Sequence, residues 1–525
     1  MQLTRRWQWA GLAGFLTVAI ITLFQYGPPI ARQPISVSLD FNATAVVANS
    51  TITLDSTKIS REISKFHLLI PATGSNHQLC RTVASATILG YPVPVFNGWR
   101  KEGDLDASKT HLAKVRNVMI YLESLPASSD DDLVLMIDGL DVTFQIPPDV
   151  LIQRYFATNK AASAKLAARF GNKYIESLSP DDAPRQTILF GPEKVCYPTD
   201  WARVGCWANP QNIGIPGGAF GPDDGQLSHN LPKWLNSGTI MGPVRDMRRL
   251  FAATLDRIQD FYDPNQEFSD SDQKYMSDVW GVQEYYRLMK ETELFFHGDI
   301  DPNDVVPLGE PNKVVPPYAR NQTKELHIGV DYLSGLFQTN AGSEHVVEFL
   351  IYNETGASNT TSATSVTRNV SESPNFEPFK IPLPANVAKS ITALLKSIAP
   401  AVDAIPSVSE LRLGTNIVTN NIYGMYHWTG DKDNMDTLWG QMWFYPYVRP
   451  LFNAAVAAMK AGQPIGVADE RTWVSAHSLA PNSTGIEGIR AAGAWADIDG
   501  GWLGWEELCG NFEVEVFGAP EASEA

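Results

Sequence analysis

The chain has 525 residues, 44% of them hydrophobic and 19% charged, which is enough for one large catalytic domain with appendages or for two domains. A formal net charge of −17 argues against nucleic acid as a main partner, because binding a phosphate backbone needs a basic face.

Arg5 and Arg6 precede Trp7 to Tyr26, a mostly apolar run that carries no charge. Twenty such residues span a bilayer as a helix. Residues 1–6 therefore read as a cytosolic tail and 7–26 as a transmembrane signal anchor. The basic flank predicts a single-pass type II protein of the Golgi or ER, its bulk in the lumen. A cleavable signal peptide is the competing reading, and it too sends the chain into the secretory pathway. Residues 27–60 read as a stem, with Pro28, Pro29 and Pro34 and then Ser, Thr and Asn. Glycosylation sequons stand at Asn42, Asn49, Asn321, Asn353, Asn359, Asn369 and Asn482. Three of them fall in a Ser/Thr-rich stretch, so 353–374 reads as an exposed glycosylated loop. Cys80, Cys196, Cys206 and Cys509 allow three pairings in an oxidising compartment, a local Cys196–Cys206 bridge among them.

The globular pattern opens with a buried strand at 66–71 that runs into the turn Pro71-Ala72-Thr73-Gly74. A helix at 79–89, a strand at 92–96 and a helix at 112–125 follow. The apolar run Leu133 to Ile137 is short enough to be a buried central strand. Beyond it, 148–170 reads as helix, 187–190 as strand, 205–231 as a Gly/Pro/Asn-rich loop and 234–242 as strand. Helices are expected at 247–262, 273–289, 387–398 and 450–460. The block 421–447 is rich in aromatic residues, and past 465 only Trp502 and Trp505 stand out. The alternation predicts an α/β sheet of parallel character, with a catalytic domain at 61–450 and a C-terminal extension at 451–525.

The strand at 133–137 ends abruptly in Asp138-Gly139-Leu140-Asp141. Open α/β sheets place ligands at that end of a strand. Two carboxylates there suit Mn²⁺ or Mg²⁺ holding a diphosphate. Asp-Gly is also a common turn signal, so residue type alone leaves a plain turn open.

Several motifs, in order, resemble the glycosyltransferase domain of the procollagen lysyl hydroxylase/glycosyltransferases, a GT-A fold with a Rossmann-like mixed sheet. They are Ile70-Pro71-Ala72-Thr73, Lys114-Val115-Arg116, Asp138 to Val142, and Phe190 to Pro198. Leu235-Asn236-Ser237-Gly238, Ser271-Asp272-Gln273, Leu336-Phe337-Gln338 and His427-Trp428-Thr429-Gly430-Asp431-Lys432 complete the series. The resemblance covers about residues 64–432. It implies a hexosyltransferase that moves a sugar from a UDP-sugar to a protein or glycan acceptor.

It also implies roles for particular residues. Asp138, Asp141 and His427 would ligate the metal, and Lys432 would neutralise the leaving phosphate beside Gly430. Thr73, Lys114, Tyr197, Asn236, Ser237, Gly238 and Gln273 would line the donor and acceptor region. Tyr197 stands where the family has tryptophan. Asp272 would be the carboxylate beside the reacting centre, in a run less acidic than the family's. A packed histidine is the bland reading of His427, and a surface acidic loop that of Asp272. The family's hydroxylase domain is not recognisable in the sequence, so lysine hydroxylation is not expected. Two rival readings remain: a catalytically inactive lumenal binding or scaffold protein, and a metal-dependent pyrophosphate or phosphodiester hydrolase.

Overall fold

The computed structural model describes residues 62–210, 212–297, 325–352, 383–481, 485–497 and 500–519. The expected anchor, the stem, the 353–374 loop and all seven sequons lie outside these residues. Among the described residues no helix is long and apolar enough to cross a membrane.

Strand β1 (Ile63–Pro71) lies in the middle of a large sheet. It pairs in parallel with β2 (Pro94–Asn97) and with β3 (Leu133–Ile137). All five residues of β3 are buried, as its apolar run requires. Period-2 alternation divides the core into two layers. Phe66, Leu68, Ile70, Leu133, Leu135 and Ile137 face one cluster, while Leu69, Val134 and Met136 face the other. Helices cover both faces. His77–Leu89 begins where the Asn76 side chain accepts from Leu79 N and ends at Gly90, whose φ of 82° suits glycine. Leu112–Ser124 and Val244–Phe261 cover the other face, together with Asp272–His297.

The short β4 (Val142–Phe144) leaves the large sheet just past the aspartates. Strands β5 (Ile188–Glu193), β6 (Trp234–Pro243) and β7 (Ile328–Val330) extend the sheet beyond β3. Here the parallel character expected from the alternation fails in part, and the mixed sheet implied by the resemblance is what forms. Strand β6 runs antiparallel to both β3 and β5, so the sheet is mixed. The physical reason is that β5 returns as β6 through 194–233, whose described residues hold only short helical turns, and antiparallel pairing needs no crossover helix laid across the sheet. The architecture is compatible with a Rossmann-like fold.

Strand β8 (Phe337–Thr339) joins a three-stranded sheet, and β9 (Val347–Ile351), β10 (Arg412–Asn416) and β11 (Asn421–Ile422) form another. Strand β12 (Met425–His427) lies between β4 and β8.

The segment read as a C-terminal extension belongs to the large sheet. Strand β13 (Gly466–Ala468) pairs with β14 (Arg471–Ser475), which in turn pairs with β1. Strand β15 (Gly493–Ala496) pairs with β2 on one side and with β16 (Trp502–Gly504) on the other. These strands are short, which hides their alternation, and β15 uses mostly small residues: a Cβ on Gly493 would lie 2.2 Å from Leu503 O. The Cys80–Cys509 disulfide ties this segment to the helix after β1, and Cys196–Cys206 closes the local bridge.

Candidate metal centre

The end of β3 is held to the middle of β6 by Asp138 N donating to Gly238 O at 2.8 Å. Asp141 follows in the turn before β4. Strand β4 pairs antiparallel with β12, and Val142 faces His427 in that register. Trp428 N donates to Asp141 O at 2.8 Å, which draws the two turns together. Residues 286 positions apart in sequence thus meet at one corner. His427 Nε2 lies 3.5 Å from Asp141 Oδ1 and 3.7 Å from Asp138 Oδ2.

The triad is the one group of His, Cys, Asp and Glu among the described residues with a shared ligating geometry, its ligand atoms all within 4.8 Å of one another. Asp141 Oδ1 is buried without a well-formed hydrogen bond, His427 Nε2 being its charged neighbour at 3.5 Å, which leaves it free to turn to a cation. Gly238 leaves the space open: a Cβ there would fall 2.1 Å from His427 Cε1 and 2.6 Å from Asp138 Oδ2. Two carboxylates and an imidazole could therefore hold a metal ion, and this donor set suits a hard or borderline divalent cation.

Lysines border the triad. Lys432 Nζ lies 2.7 Å from Asp141 Oδ2, and Lys114 Nζ lies 2.9 Å from Asp138 Oδ1 and 2.6 Å from Asp272 Oδ2. Lys114 also donates to Ser237 O at 3.3 Å. Burial opposes the charge on Asp141, but His427 and then Lys432 outweigh it and hold its carboxyl below the ordinary range. Burial likewise works against a charged His427, yet Asp141, Asp138 and Glu193 prevail and hold the imidazole above its usual value. For Lys114, burial is overcome by Asp138 and Asp272, and the ammonium is held above the ordinary lysine range.

The other expected residues divide. Asn236, Ser237 and Gln273 join one hydrogen-bond group, with Gln273 Oε1 accepting from Asn236 Nδ2 at 3.2 Å and from Ser237 N at 3.3 Å. Asn236 Oδ1 accepts from Gly238 N at 2.8 Å. Gly430 has a φ of 74°, the left-handed turn that glycine allows between His427 and Lys432. Thr73 follows β1 and lies at the same edge of the sheet as Asp138, since β1 and β3 are parallel with Leu69 opposite Met136. Lys114 and Asp272 were expected in separate roles, but they form an ion pair. Tyr197 is 45% exposed and packs edge-on against Phe268, ring centroids 5.6 Å apart, beside the loop that leads into the helix at 272.

Two residues that the sequence reading did not single out belong here. Glu193, at the end of β5, is buried and accepts from Asn236 Nδ2 at 3.0 Å; burial pushes its carboxyl up to about 7. A charged residue closing a buried strand was the available signal. Asn340, just after β8, donates its backbone N–H to His427 O at 2.9 Å. No short-range pattern marks it, because its partners lie almost ninety residues away.

No family model matches this chain, and no curated protein matches it.

Proposed function

We propose that the chain is a metal-dependent GT-A glycosyltransferase that uses a UDP-sugar donor. The observation that carries this reading is the Asp138–Asp141–His427 triad at a sheet edge, bordered by two lysines. Mn²⁺ or Mg²⁺ held by the triad would supply Lewis-acid neutralisation of the departing diphosphate. Lys432 is 52% exposed on its side chain, so it can leave Asp141 for a phosphate oxygen when the carboxylate turns to a cation. Lys114 keeps Asp138 and Asp272 in place and adds positive charge under the site. Thr73, just past the end of β1 and at the same sheet edge as Asp138, is the residue assigned to the uridine. Asn236, Ser237 and Gln273 line the opposite side, where the sugar and its acceptor would meet. Asp272 is the carboxylate suited to orient the sugar or take the acceptor proton once an incoming ligand loosens its pair with Lys114. Anchoring in a secretory membrane and a protein or glycan acceptor complete the proposal.

The test is a screen of UDP-sugars with Mn²⁺, reading UDP release and sugar transfer to added protein and glycan acceptors. The reading expects release with at least one UDP-sugar and its loss on chelation. A folded sample that releases UDP from none of them sinks it. Phosphate or UMP as product, with no transferred sugar, would instead mark a hydrolase.

A further inference from the structure

Lys432 raises a question that its own side chain does not answer. Its side chain is half exposed and its ammonium is held by Asp141 Oδ2 at 2.7 Å, so when that pair opens its position is set by the turn that carries it. We propose that Asn340 sets that position and is therefore a positioning residue for binding a nucleoside diphosphate; this rests on the transferase reading above.

Asn340 is 3% exposed; its backbone N–H and most of its side-chain bonds go to the segment 426–431, while its carbonyl accepts from Ser343 N at 2.7 Å and its Nδ2 also reaches Glu344 Oε1 at 3.4 Å. Its backbone N–H donates to His427 O at 2.9 Å. Its Nδ2 donates to Thr429 O and Asp431 O, both at 3.2 Å, so it spans the left-handed Gly430. Its Oδ1 accepts from Tyr426 OH at 2.5 Å. The neighbouring Ala341 N donates to Thr429 Oγ1 at 2.9 Å. One planar amide thus grips the carbonyls on both sides of Gly430, directly before Lys432. The opposite end of the 340–344 turn is fixed as well. Lys194 Nζ donates to Gly342 O at 2.8 Å and to Ser228 O at 2.6 Å. The clamp therefore stands on a rigid base, and Lys432 inherits its place from it. An aspartate at 340 keeps the shape and the acceptor but loses both donors and sets a negative charge beside Glu344 Oε1, so the carbonyls of Thr429 and Asp431 are left to water and the grip on the turn is lost.

The experiment is a double-mutant cycle on UDP binding in the presence of Mn²⁺, with N340D, K432A and the double variant. Expected is a loss of about tenfold in UDP affinity for N340D and for K432A, with the double variant within about twofold of K432A alone. Binding of Mn²⁺ alone should fall less than UDP binding in N340D, because the backbone bond from residue 340 to His427 O survives the substitution. Additive losses, or wild-type UDP affinity in N340D, overturn the proposal. If N340D does not fold, Y426F removes one bond from the clamp and carries the same cycle at about threefold amplitude. A ligand-free readout separates this claim from the transferase reading. Trypsin cleavage after Lys432 should accelerate about tenfold in N340D relative to wild type, as a held turn is released. Unchanged cleavage overturns the positioning role. Accelerated cleavage in a protein that binds no UDP keeps the positioning role and removes the transferase reading.

Discussion

Gly238 carries more of the site than its size suggests. Its missing side chain is the space in which Asp138 and His427 converge, since a Cβ would lie within 2.1–2.7 Å of their ring and carboxylate atoms. Gly238→Ala should therefore push the triad apart. The expected result is at least about a hundredfold weaker Mn²⁺ binding, with an overpacking cost of about 1–3 kcal/mol in stability. Titration calorimetry and thermal unfolding check both. His427 makes a second prediction. The carboxylates around it hold the imidazole protonated to a pH above its ordinary range, and a protonated imidazole cannot ligate. Metal binding must expel that proton, so Mn²⁺ affinity should rise with pH through and beyond about 6.5 and then level off. A metal affinity that is flat from pH 5.5 to 8.5 would contradict His427 as a ligand.

Three elements meet at one ammonium. Lys114 sits in the first turn of the helix Leu112–Ser124 and reaches Asp138 at the end of β3 and Asp272 at the start of the helix Asp272–His297. Removing the charge strands two carboxylates, one of them buried. Lys114→Met should cost about 3–5 kcal/mol, with Mn²⁺ restoring part of it by returning positive charge beside Asp138. Urea unfolding with and without Mn²⁺ reads this, and an unchanged midpoint would show the pair to be dispensable. Most of these elements were legible in the sequence. The strand at 133–137 and the helix at 148–170 have the bounds that apolar pattern and proline placement give. The two aspartates of the triad were legible as residue types, because a strand that stops in Asp-x-x-Asp is a local signal; His427 came only through the resemblance. The triad's partners were less so. That Lys114 and Asp272 pair, and that Asn340 holds the His427 turn, depends on tertiary contacts between distant segments, which no periodicity encodes.

The whole molecule explains why a corner of a sheet can concentrate so much charge. Strands β1 and β3 form the floor, β6 crosses beside them in the opposite direction, and β4 and β12 bring His427 back across nearly the whole fold. The C-terminal strands β14 and β15 complete the sheet on the side of β1 and β2. Their place was not legible because both strands, Arg471–Ser475 and Gly493–Ala496, are too short to show a period; they form where a neighbouring strand already offers a free edge. The sheet thus holds the triad from both sides, and its chemistry reduces to whether a nucleotide diphosphate binds there through a cation. UDP binding by titration calorimetry, with Mn²⁺ and with chelator, in wild type and Asp141→Ala, decides this. UDP should bind wild type only when Mn²⁺ is present and should fail to bind Asp141→Ala in either condition. UDP binding that survives both chelation and the loss of Asp141, or no UDP binding by folded wild type with Mn²⁺, would contradict it.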